Sequence, residues 1–184
     1  MKGFISFLFQ DSVNSGLRPE FISLLKVLLC PKSYKVIIYY RLLQYCLINK
    51  YRWGVFHYIT FRYKRLCDSM NVTLSPETQI GKGLCFPHGF PVVINPAANI
   101  GNNCIIHPCV LIGRDRGKDG APQIGDNCFI GHGSKIIGNP KVGDWCFIAP
   151  GAIITKDIPS GSVVGSGLNN ILNKNGKQHV KLYL

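Results

Sequence analysis

His88 lies in the stretch FPHGFPVV, among apolar residues, glycine and prolines, with no acid beside it to pair with. An imidazole titrates near neutrality, so a histidine held in the open can take a proton from a hydroxyl at physiological pH. The plainer reading is a histidine that only shapes a turn or an interface. His107, in IIHPCV, is the second candidate; against a role beside His88 stands an ordinary solvent-facing position. His132 occupies a place where a small residue is expected, and His57 and His179 carry no motif. Arg114, Arg116 and Lys118 sit together in GRDRGKDGAPQ. Cys104, Cys128 and Cys146 read as packing residues, and Cys85 and Cys109 lack any supporting motif. The eight cysteines include no CxxC pair, so neither a metal knuckle nor a redox pair is suggested.

What must position these groups is a repeat. From residue 72 an aliphatic side chain returns every sixth position: Ile94, Ile100, Ile106 and Ile112, then Ile124, Ile130, Ile136, Val142, Ile148 and Ile154. Gly or Ala often follows, and a compact residue usually stands four positions on. A period of six fits neither a helix nor an ordinary strand. It predicts short units stacked on one another around a shared core. The register breaks twice. Phe86 to Ile94 spans eight residues instead of six, which inserts two beside His88. Between Ile112 and Ile124 the count holds but the aliphatic pattern fails, over GRDRGKDGAPQ. Insertions in a solenoid become loops on one face, often the binding face, so both breaks coincide with chemistry-bearing residues.

The first 70 residues have a different texture. Phe21, Leu24, Leu25 and Leu28 recur at helical spacing before Pro31, and an aromatic, basic run follows to about residue 66. This region holds 11 Lys and Arg against 3 acids, so net +8 of the chain's +12 belongs here. Helices packing on the repeat explain it, with peripheral contact to an anionic membrane surface as an added role. No nucleic-acid motif accompanies the charge, so nucleic acid is not expected as a partner. No secretory signal is expected in MKGFISFLFQDS, and Lys26 and Arg41 cut the apolar runs short of a membrane span. The expected location is the cytoplasm, with reduced cysteines and possible contact with the inner face of the membrane. The expected organisation is a helical segment at 1–70, the repeat domain at 71–166 and a tail at 167–184.

Residues 72–165 resemble the hexapeptide-repeat acyltransferases, in their serine acetyltransferase-like branch. The likeness rests on the six-residue period, the two-residue break after His88, the loop before a Pro-x-Ile-Gly and a terminal Asp-x-Pro-x-x-Ser. It implies a mainly β protein: a left-handed parallel β-helix preceded by helices and assembled as a homotrimer or a dimer of trimers. It implies acetyl-CoA as co-substrate in a cleft between subunits, with no tightly bound cofactor and no metal. His88 would be the general base and His107 its aid. Gly113, Arg114, Gly131, His132, Pro150 and Lys156 would line the cofactor. A backbone N–H near the loop would steady the oxyanion.

Two departures shape the acceptor expectation. The branch carries an aspartate where this chain has Thr73 and a histidine where it has Ala121, and both groups help recognise serine. Their absence points to a sugar hydroxyl in cell-surface polysaccharide synthesis, with serine O-acetylation as the alternative. The tail NNILNKNGKQHVKLYL ends in Leu, where the branch's partner-docking tails usually need Ile. A zinc-dependent carbonic anhydrase would need three converging histidines, and His88, His107 and His132 lack that spacing. An inactive scaffold is the remaining alternative.

Overall fold

The six-residue unit folds as one short strand and one bend, and three units close a triangular coil. The computed structural model describes residues 2–14, 32–51, 54–88, 91–115 and 119–183. Its first prism face stacks β1 (Val72–Thr73), β3 (Val92–Ile94), β6 (Val110–Gly113), β9 (Lys135–Ile137), β12 (Ala152–Ile154) and β14 (Gly167–Leu168). The second face stacks β2 (Gln79–Ile80), β4 (Asn99–Ile100), β7 (Gln123–Ile124) and β10 (Lys141–Val142). The third stacks β5 (Ile105–Ile106), β8 (Phe129–Ile130), β11 (Phe147–Ile148), β13 (Val163–Val164) and β15 (Ile171–Asn173). Neighbours pair in parallel, as in Val92 with Val110 and Phe129 with Phe147, while β15 returns antiparallel to β13. This is the expected left-handed parallel β-helix. The period-six isoleucines point inward, and Ile94, Ile106, Ile112, Ile130, Ile136, Ile148 and Ile154, from two of the three faces, are fully buried in the shared interior.

The rest of the hexad is explained at the edge between the second and third faces. A carboxylate or amide of each coil accepts a backbone N–H from the coil before it: Asp126 from Asn102 at 2.6 Å and Asp144 from Asp126 at 2.7 Å. A Cβ on Gly101 or Gly125 would lie 2.3 Å from those carboxylate oxygens, so the Ile-Gly-Asp and Ile-Gly-Asn runs are a steric requirement. The compact slot is equally specific. Cys104, Cys128 and Cys146 are buried, and each thiol lies 3.3 Å from a carbonyl of the next coil, of Gly125, Gly143 and Pro159 respectively. Hydrogen bonding with neighbouring thiols, and then burial, push the Cys128 and Cys146 pKa values up, which leaves them poor nucleophiles.

The helices close the open end of the prism. They are α1 (Lys2–Asn14), α2 (Lys32–Ile48) and α3 (Gly54–Met70). The first coil has no coil beneath it, so its backbone groups need other partners. Asp11 accepts from the N–H groups of Gly83 and Leu84, at 2.6 and 2.8 Å. Arg41 donates to the carbonyls of Ile80 and Gly81 and to Asp11 itself, at 2.9 Å. The Tyr40 hydroxyl reaches the carbonyl of Thr78 and that of Tyr63 reaches Leu74. Part of the basic, aromatic content of this region is thus an end cap. The helix expected around Phe21 to Leu28 lies outside the described residues, as do Arg116 and Lys118. Among the described residues no helix is long and apolar enough to cross a membrane.

At the other end, β14 pairs with β12 and α4 (Gly176–Val180) folds back over the third face. Val180 is buried against Phe129, and the Tyr183 ring lies 4.4 Å from that of Phe129.

Candidate active site

The edge between the third and first faces gathers the histidines. On successive coils its bends contain Pro87 and His88, then His107, Pro108 and Cys109, then Gly131, His132 and Gly133, then Ala149, Pro150 and Gly151. Three residues ordinarily separate the strands at this edge, whereas the numbering puts five between Phe86 and β3, in keeping with the register break in the sequence. His88 is exposed there, while His107 on the next coil is half-buried. The two rings lie 5.5 Å apart, centroid to centroid, tilted by 57°. Cys109 takes a positive φ of 61° where the next two coils use Gly133 and Gly151, and its N–H donates to the Pro91 carbonyl. That bond ties the first coil to the next one.

His107 rests on Phe129, 4.7 Å away, which stacks in turn on Phe147. Burial lowers the His107 pKa, and the nearby His88 and His132 lower it further. At neutral pH His107 is therefore uncharged and can exchange a hydrogen bond without repelling a second imidazolium. Sequence reasoning found His88 and His107 but not the aromatic shelf beneath them. Phe129 and Phe147, eighteen positions apart at matching places in the hexad, were its only signal.

The remaining expected residues divide between two edges. Gly131, His132 and Pro150 share the histidine edge. Gly113 and Arg114 leave the end of β6, and Lys156 follows β12, so these three lie at the edge between the first and second faces. The expected line of Gly113, His132 and Pro150 on successive coils is thus not one line within a single chain. Six residues of extended chain separate the two edges on one coil, roughly 15–20 Å. Ala121, where the resemblance led us to look for a histidine, belongs to the second edge and is buried; Thr73 is exposed on β1. Among the described residues no three His, Cys, Asp or Glu side chains converge on a point that could hold a metal ion.

A stacked prism with an imidazole exposed on one edge resembles the hexapeptide-repeat transferases. Residues 121–156 match the family described as bacterial transferase hexapeptide (six repeats), and the comparisons bear out the likeness to its serine acetyltransferase branch. The chain is 44% identical over 107 residues to serine acetyltransferase 5 of Arabidopsis thaliana, covering 56% of this chain and 34% of that protein. It is 32% identical over 115 residues to serine acetyltransferase of Staphylococcus xylosus, covering 61% and 53% respectively. It thus spans about a third to a half of these curated relatives. Soybean serine acetyltransferase in complex with serine superposes with a TM-score of 0.76 at 25% identity, covering 94% of this chain and 70% of that one.

These likenesses overturn the expectation of a sugar acceptor in polysaccharide synthesis: the relatives are serine acetyltransferases. The inference from Thr73 and Ala121 failed because the loss of two side chains is not in itself evidence for a sugar site.

Proposed function

We propose that this chain transfers the acetyl group of acetyl-CoA to the hydroxyl of serine, with His88 as general base. The observation that carries the reading is His88 itself, exposed at the register break and backed at 5.5 Å by the neutral His107, on a solenoid similar to serine acetyltransferases. His88 accepts the hydroxyl proton as the serine oxygen attacks the thioester carbonyl. The C–S bond then breaks, and the imidazolium returns the proton to the departing thiolate. The products are O-acetylserine and CoA, and no acyl-enzyme forms. General base assistance of this kind contributes about 10²–10⁴-fold.

The division of the expected residues between two edges supports a homotrimer, in which the histidine edge of one subunit meets the loop edge of the next. The cofactor would then contact Gly131, His132 and Pro150 of one chain and Gly113 and Lys156 of its neighbour. A peripheral contact with an anionic membrane is a separate part of the proposal. It is supported by the exposed Val55, Tyr58 and Phe61 on α3 beside Arg62 and Arg65, and co-sedimentation with vesicles of anionic lipid tests it.

The main test is thiol release from acetyl-CoA in the presence of L-serine. Turnover that falls about 10²–10⁴-fold in His88→Ala is expected; no serine-dependent thiol release by the wild-type chain overturns the reading.

A further inference from the structure

A cavity of about 380 Å³ lies at the loop edge and is lined by Glu77, Gln79, Ala97, Arg114, Ala121 and Gln123 among others. Its origin is visible in the register. Gln79, Asn99 and Gln123 stack on successive coils of the second face. Two positions before each stand Glu77, Ala97 and Ala121, so two small side chains lie above one carboxylate and leave space there. Arg114 enters the same space from the end of β6.

Glu77 and Arg114 have opposite charges and share one cavity, yet they do not pair. The ion pair found among the described residues is Arg41 with Asp11, and no hydrogen bond of the Glu77 carboxylate or the Arg114 guanidinium accompanies it. Two unlike charges lining one cavity together with the amides of Gln79, Asn99 and Gln123 complement a molecule that carries both charges at once. A polyphosphate does not fit this description, because Glu77 would repel it.

We infer that Glu77 and Arg114 bind the acceptor amino acid as a zwitterion, Glu77 taking the ammonium group and Arg114 the carboxylate in its planar fork. This rests on the proposed serine acetylation and deepens it, supplying the recognition that Thr73 and Ala121 cannot. It also moves Arg114 from the cofactor, where the sequence placed it, to the acceptor. In the trimer, the serine so held offers its hydroxyl to His88 of the adjoining subunit.

The experiment pairs each variant with an analogue lacking its partner group. Binding of L-serine to the intact protein is measured by calorimetry, and turnover in parallel with L-serine, serinamide and glycerate. Glu77→Gln and Arg114→Met should each weaken L-serine binding and raise its KM about tenfold or more, with the KM for acetyl-CoA unchanged. Serinamide, which lacks the carboxylate, should bind wild type and Arg114→Met alike; glycerate, which lacks the ammonium, should bind wild type and Glu77→Gln alike. A merely structural role would weaken all three ligands together, and that result overturns the inference. So does serine turnover that neither variant alters, in which case the catalytic reading stands. Serine binding that obeys the pairing without any acetyl transfer keeps the inference and ends the catalytic reading. Neither binding nor turnover ends both.

Discussion

The pKa of His107 is lowered by burial and by two neighbouring histidines. Burial on Phe129 lowers it first, and the nearness of His88 and His132 adds to the shift. The folded protein therefore binds fewer protons than the unfolded chain just below pH 6.5. Stability contributed by the neutral ring is full above that value and is lost as pH falls through 6.5 toward the folded pKa. A His88→Ala variant removes one electrostatic cause and leaves the burial. The NMR titration midpoint of His107 should then rise toward the ordinary value without reaching it. An unmoved midpoint would show that the two rings do not sense one another. Cysteine chemistry divides as sharply. Cys109 is exposed, whereas Cys104, Cys128 and Cys146 are buried and placed against backbone carbonyls. Among the described cysteines, a thiol reagent under native conditions should label Cys109 well before those three, as read by peptide mapping.

Among the elements, the end cap is the most demanding. Arg41 is 2% exposed and Asp11 fully buried, and together they satisfy backbone groups of Ile80, Gly81, Gly83 and Leu84. Removing either partner leaves a buried charge and several orphaned backbone groups. Arg41→Leu or Asp11→Ala should therefore cost about 3–5 kcal/mol, read by urea unfolding, and the double variant should cost less than the sum of the two. Additive losses would mean that the pair does not act as a unit. This cap also marks what sequence could reveal. The solenoid was legible because every coil repeats one steric solution: an isoleucine inward, a glycine under a carboxylate, a compact residue against a carbonyl. The histidine bend was legible because it breaks that rule by two residues. The cap was not, since Asp11, Arg41, Tyr40 and Tyr63 serve a single coil and recur nowhere. The same holds for the Glu77–Arg114 cavity, whose two charges lie far apart in sequence and meet only through register. The sugar acceptor was inferred from two absent side chains, which a sequence displays; what the register brings together it does not display.

For the whole molecule, the proposed base and the proposed acceptor groups occupy different edges of one prism. Within a chain the two lie roughly 15–20 Å apart across the first face, too far for one small acceptor to span. A cyclic trimer brings unlike edges of adjoining subunits together through a heterologous contact that closes on itself. Sedimentation should then give three chains per particle, but mass alone does not show a shared site. Mixing does. His88→Ala should be inactive for want of a base, and the Glu77→Gln, Arg114→Met double variant nearly so at low serine. When the two are unfolded together in equal amounts and refolded, some interfaces receive an intact histidine edge from one parent and an intact loop edge from the other. Random assembly makes about a quarter of interfaces competent, so about a quarter of wild-type activity should return. If each chain held its own complete site, every site would carry one lesion and no activity would return.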